Sequence, residues 1–389
     1  MSRLRLIYLD HNATTPLDPR VLEAMTPYLT EHYGNASSLS HAWGLEAARA
    51  VDFARGQVAA TIGATPEEVL FTSGATESDN LAIKGAAWAV VAAGQPGRHI
   101  VTSAIEHRAV LESCEFLMTQ GFRVTHVPVD ADAMVDPDAV RRAIADDTIL
   151  ISVMHANSEV GTIQPVEKIG TIARERGIPF HVDATQTVGK LPVDVDALQA
   201  DFVAFSGHKI HGPKGVGGLY VRRRRRLVPL HSGGGQEKGR RSGTYNTPGI
   251  VGIGKACELA MQDRDGEAAR LRDLSRAFLT QIRSRIEGVT LNGHPEQRLP
   301  NNLNLSFENV ESEGLIAALK GVAVSSGSAC ANETREPSYV MKALGASDER
   351  AHSAVRFGLG RFTTADELDE VVERLVEAVR RQRKMSHVA

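Results

Sequence analysis

The sequence predicts an α/β protein with a mainly parallel, seven-stranded sheet covered by helices on both faces, followed by a smaller α+β unit. Three observations carry this expectation. Short β-rich runs recur through the middle of the chain, and most are near-continuously apolar, as in strands buried on both faces. Helical patterns lie between most of them, which implies parallel strands joined by crossovers. After about Gly235 the alternation ends, and long helical stretches and scattered short strands replace it.

The strand runs are residues 69–72, 99–103, 124–127, 149–154, 180–182, 202–205 and 218–221. Helical patterns cover 77–93, 108–119, 138–145 and 166–176. Beyond them come two helical stretches, 250–263 and 267–286, short strands at 289–291, 303–307, 322–324 and 354–357, and an amphipathic helix over 365–381. The expected division is a large unit over 17–260 and a small one over 1–16 and 261–389. Its boundary falls within the long helices.

Composition narrows the function. The chain has 389 residues, 42 % hydrophobic and 23 % charged, which is ordinary for a globular protein. A net charge of -3 offers no global field for nucleic acid or an acidic membrane. Cys114, Cys257 and Cys330 have no zinc or disulfide spacing. Free thiols, an N-terminus unlike a signal peptide and no apolar run long enough to span a bilayer make a cytoplasmic location the expectation. The run Arg222 to Arg226 follows a strand and reads either as a solvated turn or as an RNA or scaffold contact.

The chemistry collects at strand ends, where open α/β sheets bind ligands. One strand ends in Asp183, and its neighbour runs into Ser206-Gly207-His208-Lys209. An amine and a carboxylate on the same side of one sheet match the needs of pyridoxal 5'-phosphate: a lysine for the Schiff base and an acid for the ring nitrogen. A surface lysine and a helix-capping aspartate are the plainer alternative. Thr72-Ser-Gly-Ala-Thr-Glu-Ser-Asp-Asn80 joins a strand to a helix, so its turn offers free N–H groups to a phosphate, unless Ser73 or Thr76 caps its own backbone. His107 follows another strand and either stacks on a flat ring or caps a helix. Asn157 and Gln186 are further polar groups at strand ends. Gly249 to Lys255 nearly matches a P-loop, but Ala256 replaces the hydroxyl and no strand precedes it. It reads as a helix start that tolerates glycine.

Two distant residues complete the set. Cys330 lies in the polar run Val324-Ser-Ser-Gly-Ser-Ala-Cys330, where exposure favours a reactive thiolate. Arg356 interrupts an apolar strand and needs an anion, either a substrate carboxylate or an internal acid.

Together these motifs resemble cysteine desulfurases of the NifS/IscS type, which are class V, fold-type-I pyridoxal phosphate enzymes. The resemblance also covers Tyr8 to Pro16, Gly34-Asn35, His181 to Gln186, Gly233 to Glu237, Arg241 to Thr244 and Ser325 to Cys330, the last like the long loop of group I. It implies that Lys209 carries the cofactor, Asp183 pairs with the ring nitrogen, Gln186 with the ring hydroxyl oxygen, and His107 stacks and moves protons. Ala75, Thr76, Ser206 and His208 would hold the phosphate. Thr244 would reach the phosphate of a second subunit, which requires a homodimer. Arg356, Asn35 and Asn157 would hold the carboxylate of L-cysteine. Cys330 would take the sulfur and pass it to an iron–sulfur scaffold or another acceptor protein.

Two features depart from the family. The chain ends soon after its last helix, where many members run on into a docking tail, and the loop beyond Cys330 carries Glu333 and Arg335. A selenocysteine lyase, another class V lyase or transaminase, and a non-catalytic assembly subunit are the competing readings.

Overall fold

The computed structural model describes residues 5–326 and 337–386. The central sheet has seven strands: β1 (Val69–Thr72), β2 (His99–Ser103), β3 (Arg123–Val127), β4 (Thr148–Ser152), β5 (Phe180–Asp183), β6 (Phe202–Ser206) and β7 (Gly217–Val221). Their spatial order is β1-β7-β6-β5-β4-β2-β3. β7 is antiparallel to both neighbours, and all other pairs are parallel.

The apolar runs are explained by burial on both faces. Val101, Ile151, Val203 and Phe205 enter one hydrophobic cluster, while Ile100, Leu150, Phe202 and Ala204 enter another. Successive residues of a strand point to opposite faces, so a strand covered on both sides must be apolar throughout. The second face is covered by helices Ala75–Ala92 and Arg108–Met118, which contribute Leu81, Val110, Cys114 and Leu117. The first is covered by Ala42–Thr61, Val166–Glu175 and the start of a long helix.

Two expectations need correction. Helices Pro19–Thr30 and Ala42–Thr61 precede the sheet, and the sequence reading did not find them. The second is alanine-rich and shows no sharp apolar stripe, while the first carries Pro27 inside it, a residue that reads as a helix breaker. The two stretches read as separate helices over 250–263 and 267–286 form one helix, Thr247–Arg285. The charged run between them leaves the helix ladder unbroken, and Glu267 is held by Arg361 Nε at 2.7 Å. Ile7–Tyr8 pairs in parallel with Val322–Ala323, so the N-terminal segment is built into the C-terminal part of the chain.

That C-terminal part holds an antiparallel sheet of Val289–Asn292, Asn302–Phe307 and Ala354–Gly358, backed by helix Ala365–Ser386. Leu271, Phe278 and Ile282 of the long helix pack there with Ile7 and Leu9, whereas Ile250, Ile253 and Leu259 pack under the main sheet. The near P-loop is the beginning of this helix, capped by Asn246 Oδ1 on the Gly249 N–H at 3.1 Å. Its glycines serve close packing. A Cβ on Gly252 would lie 2.6 Å from Met25 Sδ, and one on Gly254 would lie 2.7 Å from Ala54 Cβ. In the arginine run, Arg222 pairs with Asp196 at 2.8 Å and Arg225 with Asp201 at 2.7 Å.

Gly254→Ala is expected to destabilise the fold by about 1–3 kcal/mol through overpacking, despite alanine's better helix propensity. Urea unfolding measures it; a midpoint equal to or above that of the parent chain would show that the two helices separate freely.

Candidate active site

A cleft of about 560 Å³ opens at the carboxyl ends of β5 and β6. Asp183 is the last residue of β5 and lies in register with Ala204, and β6 continues through Ser206 into a turn at Gly207–Lys209. Adjacent parallel strands thus bring the carboxylate and the amine to one rim, and both line the cleft.

Lys209 Nζ donates to the carbonyls of Asn12 at 2.5 Å and Ala13 at 2.7 Å. Burial, then the charges of Lys190 and Arg356, lower its pKa to about 7. This amine can exist neutral or charged near physiological pH. Asp183 is 7 % exposed, and its Oδ1 accepts from the Thr185 N–H at 2.9 Å.

Behind Asp183 lies a dry polar cluster on the same sheet face. His181 bonds Ser152 Oγ through Nδ1 at 2.9 Å, and its Nε2 is 3.4 Å from Asp79 Oδ1. Burial lowers His181 to about 4 and, with Asp183 and Glu106 nearby, raises Asp79 well above the usual carboxylate range. Burial also pushes Glu106 up to about 8, although it accepts from Ser103 Oγ at 2.5 Å and the Met154 N–H at 2.9 Å. Near pH 7 His181 is therefore neutral and Glu106 mostly protonated, and burial favours the protonated form of Asp79 as well.

The anion cup forms where β1 turns into helix Ala75–Ala92. Gly74 precedes the helix without any side-chain cap, so Ser73 and Thr76 do not satisfy the first-turn N–H groups. Glu77 instead accepts from the Ser73 N–H at 2.7 Å and is paired with Arg241 at 2.8 Å. Gly217 lets this turn settle onto the sheet, since a Cβ there would sit 2.6 Å from Gly74 Cα. Ala75, Thr76, Ser206, His208 and Lys214 all line the cleft beside the turn. His208 Nδ1 meets Thr14 Oγ1 at 3.1 Å.

His107 is a helix cap that also faces the cleft. Its Nδ1 accepts from the Ala109 N–H at 3.1 Å as a helix cap, and it lines the cleft. Gln186 faces the cleft and exchanges hydrogen bonds with Asn12. Asn157 lines it too, but its side chain is spent on the Ile105 carbonyl and the N–H groups of Glu159 and Val160. Of the two alternatives for Arg356, the internal acid is present. It pairs with Asp10 at 2.8 Å and donates to the Ser158 carbonyl at 3.0 Å; its buried Nε has no partner among the described residues, and it lines the cleft. Asn35 and Thr244 are exposed and do not line this cleft. Cys330 lies outside the described residues. On either side of its segment, Ser325 pairs with Arg356 through the backbone, and Tyr339 lines the cleft.

Sequence reasoning missed Asn12, Ala13, Asp79, Glu159 and Lys190. Asn12, Ala13 and Asp79 stood inside recognised stretches but were given no role. Glu159 and Lys190 carry no local signal, because a polar residue in a turn is ordinary until another element covers it.

The Aminotransferase class-V family model matches residues 7–371. The chain belongs to the class-V aminotransferase family. Within it, the chain is 54 % identical to "Cysteine desulfurase IscS" of Anaeromyxobacter dehalogenans (strain 2CP-C), over 98 % of this chain and 94 % of the relative. It is 50 % identical to "Cysteine desulfurase" of Rattus norvegicus, over 98 % of this chain and 85 % of that one. A solved "NIFS-LIKE PROTEIN" superposes with a TM-score of 0.90 at 38 % identity, covering 96 % of this chain and 99 % of the other. The family is pyridoxal 5'-phosphate-dependent, and the residues present suit that group. Uncapped helix N–H groups suit its phosphate, a buried amine of depressed basicity its aldehyde, and a strand-end carboxylate its ring nitrogen.

The Glu106 carboxyl yields a test. Its folded value is about 8 against a reference of 4.5. Between about pH 5 and 8 the unfolded chain loses this proton and the folded chain keeps it, so the group's contribution to stability falls as pH rises. Glu106→Gln abolishes that loss. Its urea midpoint relative to the parent should climb across this window, and a constant difference would refute the buried neutral acid.

Proposed function

We propose that this protein is a pyridoxal 5'-phosphate-dependent cysteine desulfurase that converts L-cysteine to L-alanine and takes up the sulfur as a persulfide on Cys330. The observation that carries the proposal is a buried, easily deprotonated Lys209 sharing one cleft with Asp183, an uncapped helix N-terminus and an arginine with a spare donor. When bound, the cofactor supplies an electron sink for charge developing at the substrate α-carbon.

The roles of the chain's own residues follow. Ala75 and Thr76 N–H groups, Ser206 Oγ and His208 hold the phosphate. Asp183 keeps a proton on the ring nitrogen, and Gln186 donates to the ring hydroxyl oxygen. His107 packs on the ring face and assists proton transfer. Lys209 anchors the cofactor and moves a proton to and from the substrate α-carbon, as a group with a pKa near 7 does well. Arg356 grips the substrate carboxylate while Asp10 fixes its guanidinium plane. Cys330 attacks the substrate sulfur as thiolate.

The reading extends to assembly. Leu22, Leu29, Tyr33, Leu39, Trp43 and Phe53 are exposed apolar side chains along the N-terminal helices and their connection, a surface suited to a second copy of this chain. In that homodimer the exposed Thr244 reaches the partner's phosphate. Residues 17–260 form the cofactor unit, and 1–16 with 261–389 the unit that presents the thiol. The sulfur passes to an iron–sulfur scaffold or another acceptor protein. No helix among the described residues is long and apolar enough to cross a membrane. Cys114 and Cys257 are unpaired buried thiols, in keeping with the cytoplasm.

Lys209→Ala should lose the visible absorbance of bound cofactor. Cys330→Ala should keep it but form no persulfide or sulfide from L-cysteine; undiminished sulfide release would refute the role of that thiol. Arg356→Ala should raise KM for cysteine about 10–100-fold, the loss expected for a charge-assisted hydrogen bond, and an unchanged KM would remove it from the carboxylate site.

A further inference from the structure

Lys190 has no role in the chemistry above, yet it lies next to it. It and Lys209 line one narrow gap, together with His11, His211, Glu267 and Arg361. Lys190 Nζ donates to Gln186 Oε1 at 3.4 Å. The same oxygen accepts from Asn12 Nδ2 at 3.2 Å, and Gln186 Nε2 donates to the Asn12 carbonyl at 3.0 Å. That carbonyl accepts from Lys209 Nζ at 2.5 Å. The hydrogen bonds run unbroken from one ammonium group to the other.

The polarity of this chain matters. An amide can present either its oxygen or its NH₂, but an ammonium group has no acceptor and tolerates only the oxygen. With Lys190 and Asn12 both donating to Oε1, the Gln186 nitrogen must face the other way. One of its hydrogens goes to the Asn12 carbonyl, and the second is left for the cleft.

We propose that Lys190 is a positioning residue for the cofactor site: its ammonium group sets the Gln186 amide so that an N–H meets the ring oxygen, and its charge opposes a second positive charge at Lys209. This rests on the cofactor reading given above.

The surrounding charges leave that field in place. Glu267 is the acid that acts on Lys190, but it is committed to Arg361 at 2.7 Å, and Arg361 also bonds Asp18 at 2.9 Å. Burial keeps the rings of His11 and His211 neutral, at about 4 and about 3. Lys209 itself is faced by Lys190 and Arg356, which oppose its charge, and by Asp183 and Asp10, which favour it, with His208 beside it.

The test uses the holoenzyme and two readouts, the rate at which pyridoxal phosphate dissociates and the pH at which its visible absorbance changes. In Lys190→Met, dissociation should speed up about tenfold, the order expected for a lost hydrogen bond to a charged group. The absorbance transition should move up by about one pH unit, because a neighbouring positive charge is gone. Lys190→Arg should leave the transition where it is. Faster dissociation with an unmoved transition would assign Lys190 a packing role and overturn the proposal, as would parent-like behaviour in both readouts. If the Met variant does not fold, Lys190→Gln replaces it: an upward shift supports the proposal and no shift overturns it. A parent protein that binds no pyridoxal phosphate would instead defeat the functional reading itself.

Discussion

An ammonium group removed from water must find a counter-charge, find dipoles, or give up its proton. Lys209 is held at the rim of a sheet buried on both faces, with two backbone carbonyls to receive its hydrogens. That arrangement keeps the amine ordered without pairing it to an acid, and so leaves its proton easy to remove. The rest of the site is arranged around this group. The parallel pairing of β5 and β6 sets its distance from Asp183, and the N-terminal segment, tied down by the pairing of Ile7–Tyr8 with Val322–Ala323, supplies the carbonyls.

The same constraint shapes what lies behind the cleft. Three ionisable side chains, Asp79, Glu106 and His181, are buried on one face of the sheet. Were the acids ionised, like charges would crowd a place sheltered from water. Burial instead favours their protonated forms and keeps His181 neutral. They act as a polar backing, while Asp183 carries the hydrogen bond that orients its carboxylate toward the rim. On the opposite wall Asp10 takes only part of Arg356, and the buried Nε has no partner among the described residues.

Much of this is legible along the chain because it is local. A strand buried on both faces has to be apolar residue after residue, so the seven strands stand out. A polar residue that ends such a run must sit at the sheet's rim, which is how Asp183, His107, Asn157 and the Ser206 to Lys209 turn are found. Helix Ala42–Thr61 escapes notice because alanine and glycine let it pack closely without an apolar stripe: Gly254 against Ala54 needs smallness, not hydrophobicity. The 39-residue helix was read as two because its exposed middle carries charges, although charge on a solvent face does not interrupt a helix.

The sequence by itself determined the layered fold, the strand-end amine and carboxylate, and the helix start able to bind phosphate. Each depends on the periodicity of a single element and on which residue closes it. Only the tertiary structure decided that Asn12 and Ala13 receive the lysine, that Asp10 shares Arg356, that Thr76 leaves its helix uncapped, and that Gln186 meets Asn12. Those relations join segments more than a hundred residues apart or depend on which atoms are sheltered from water, and neither property is written in the spacing of residues along one strand or helix.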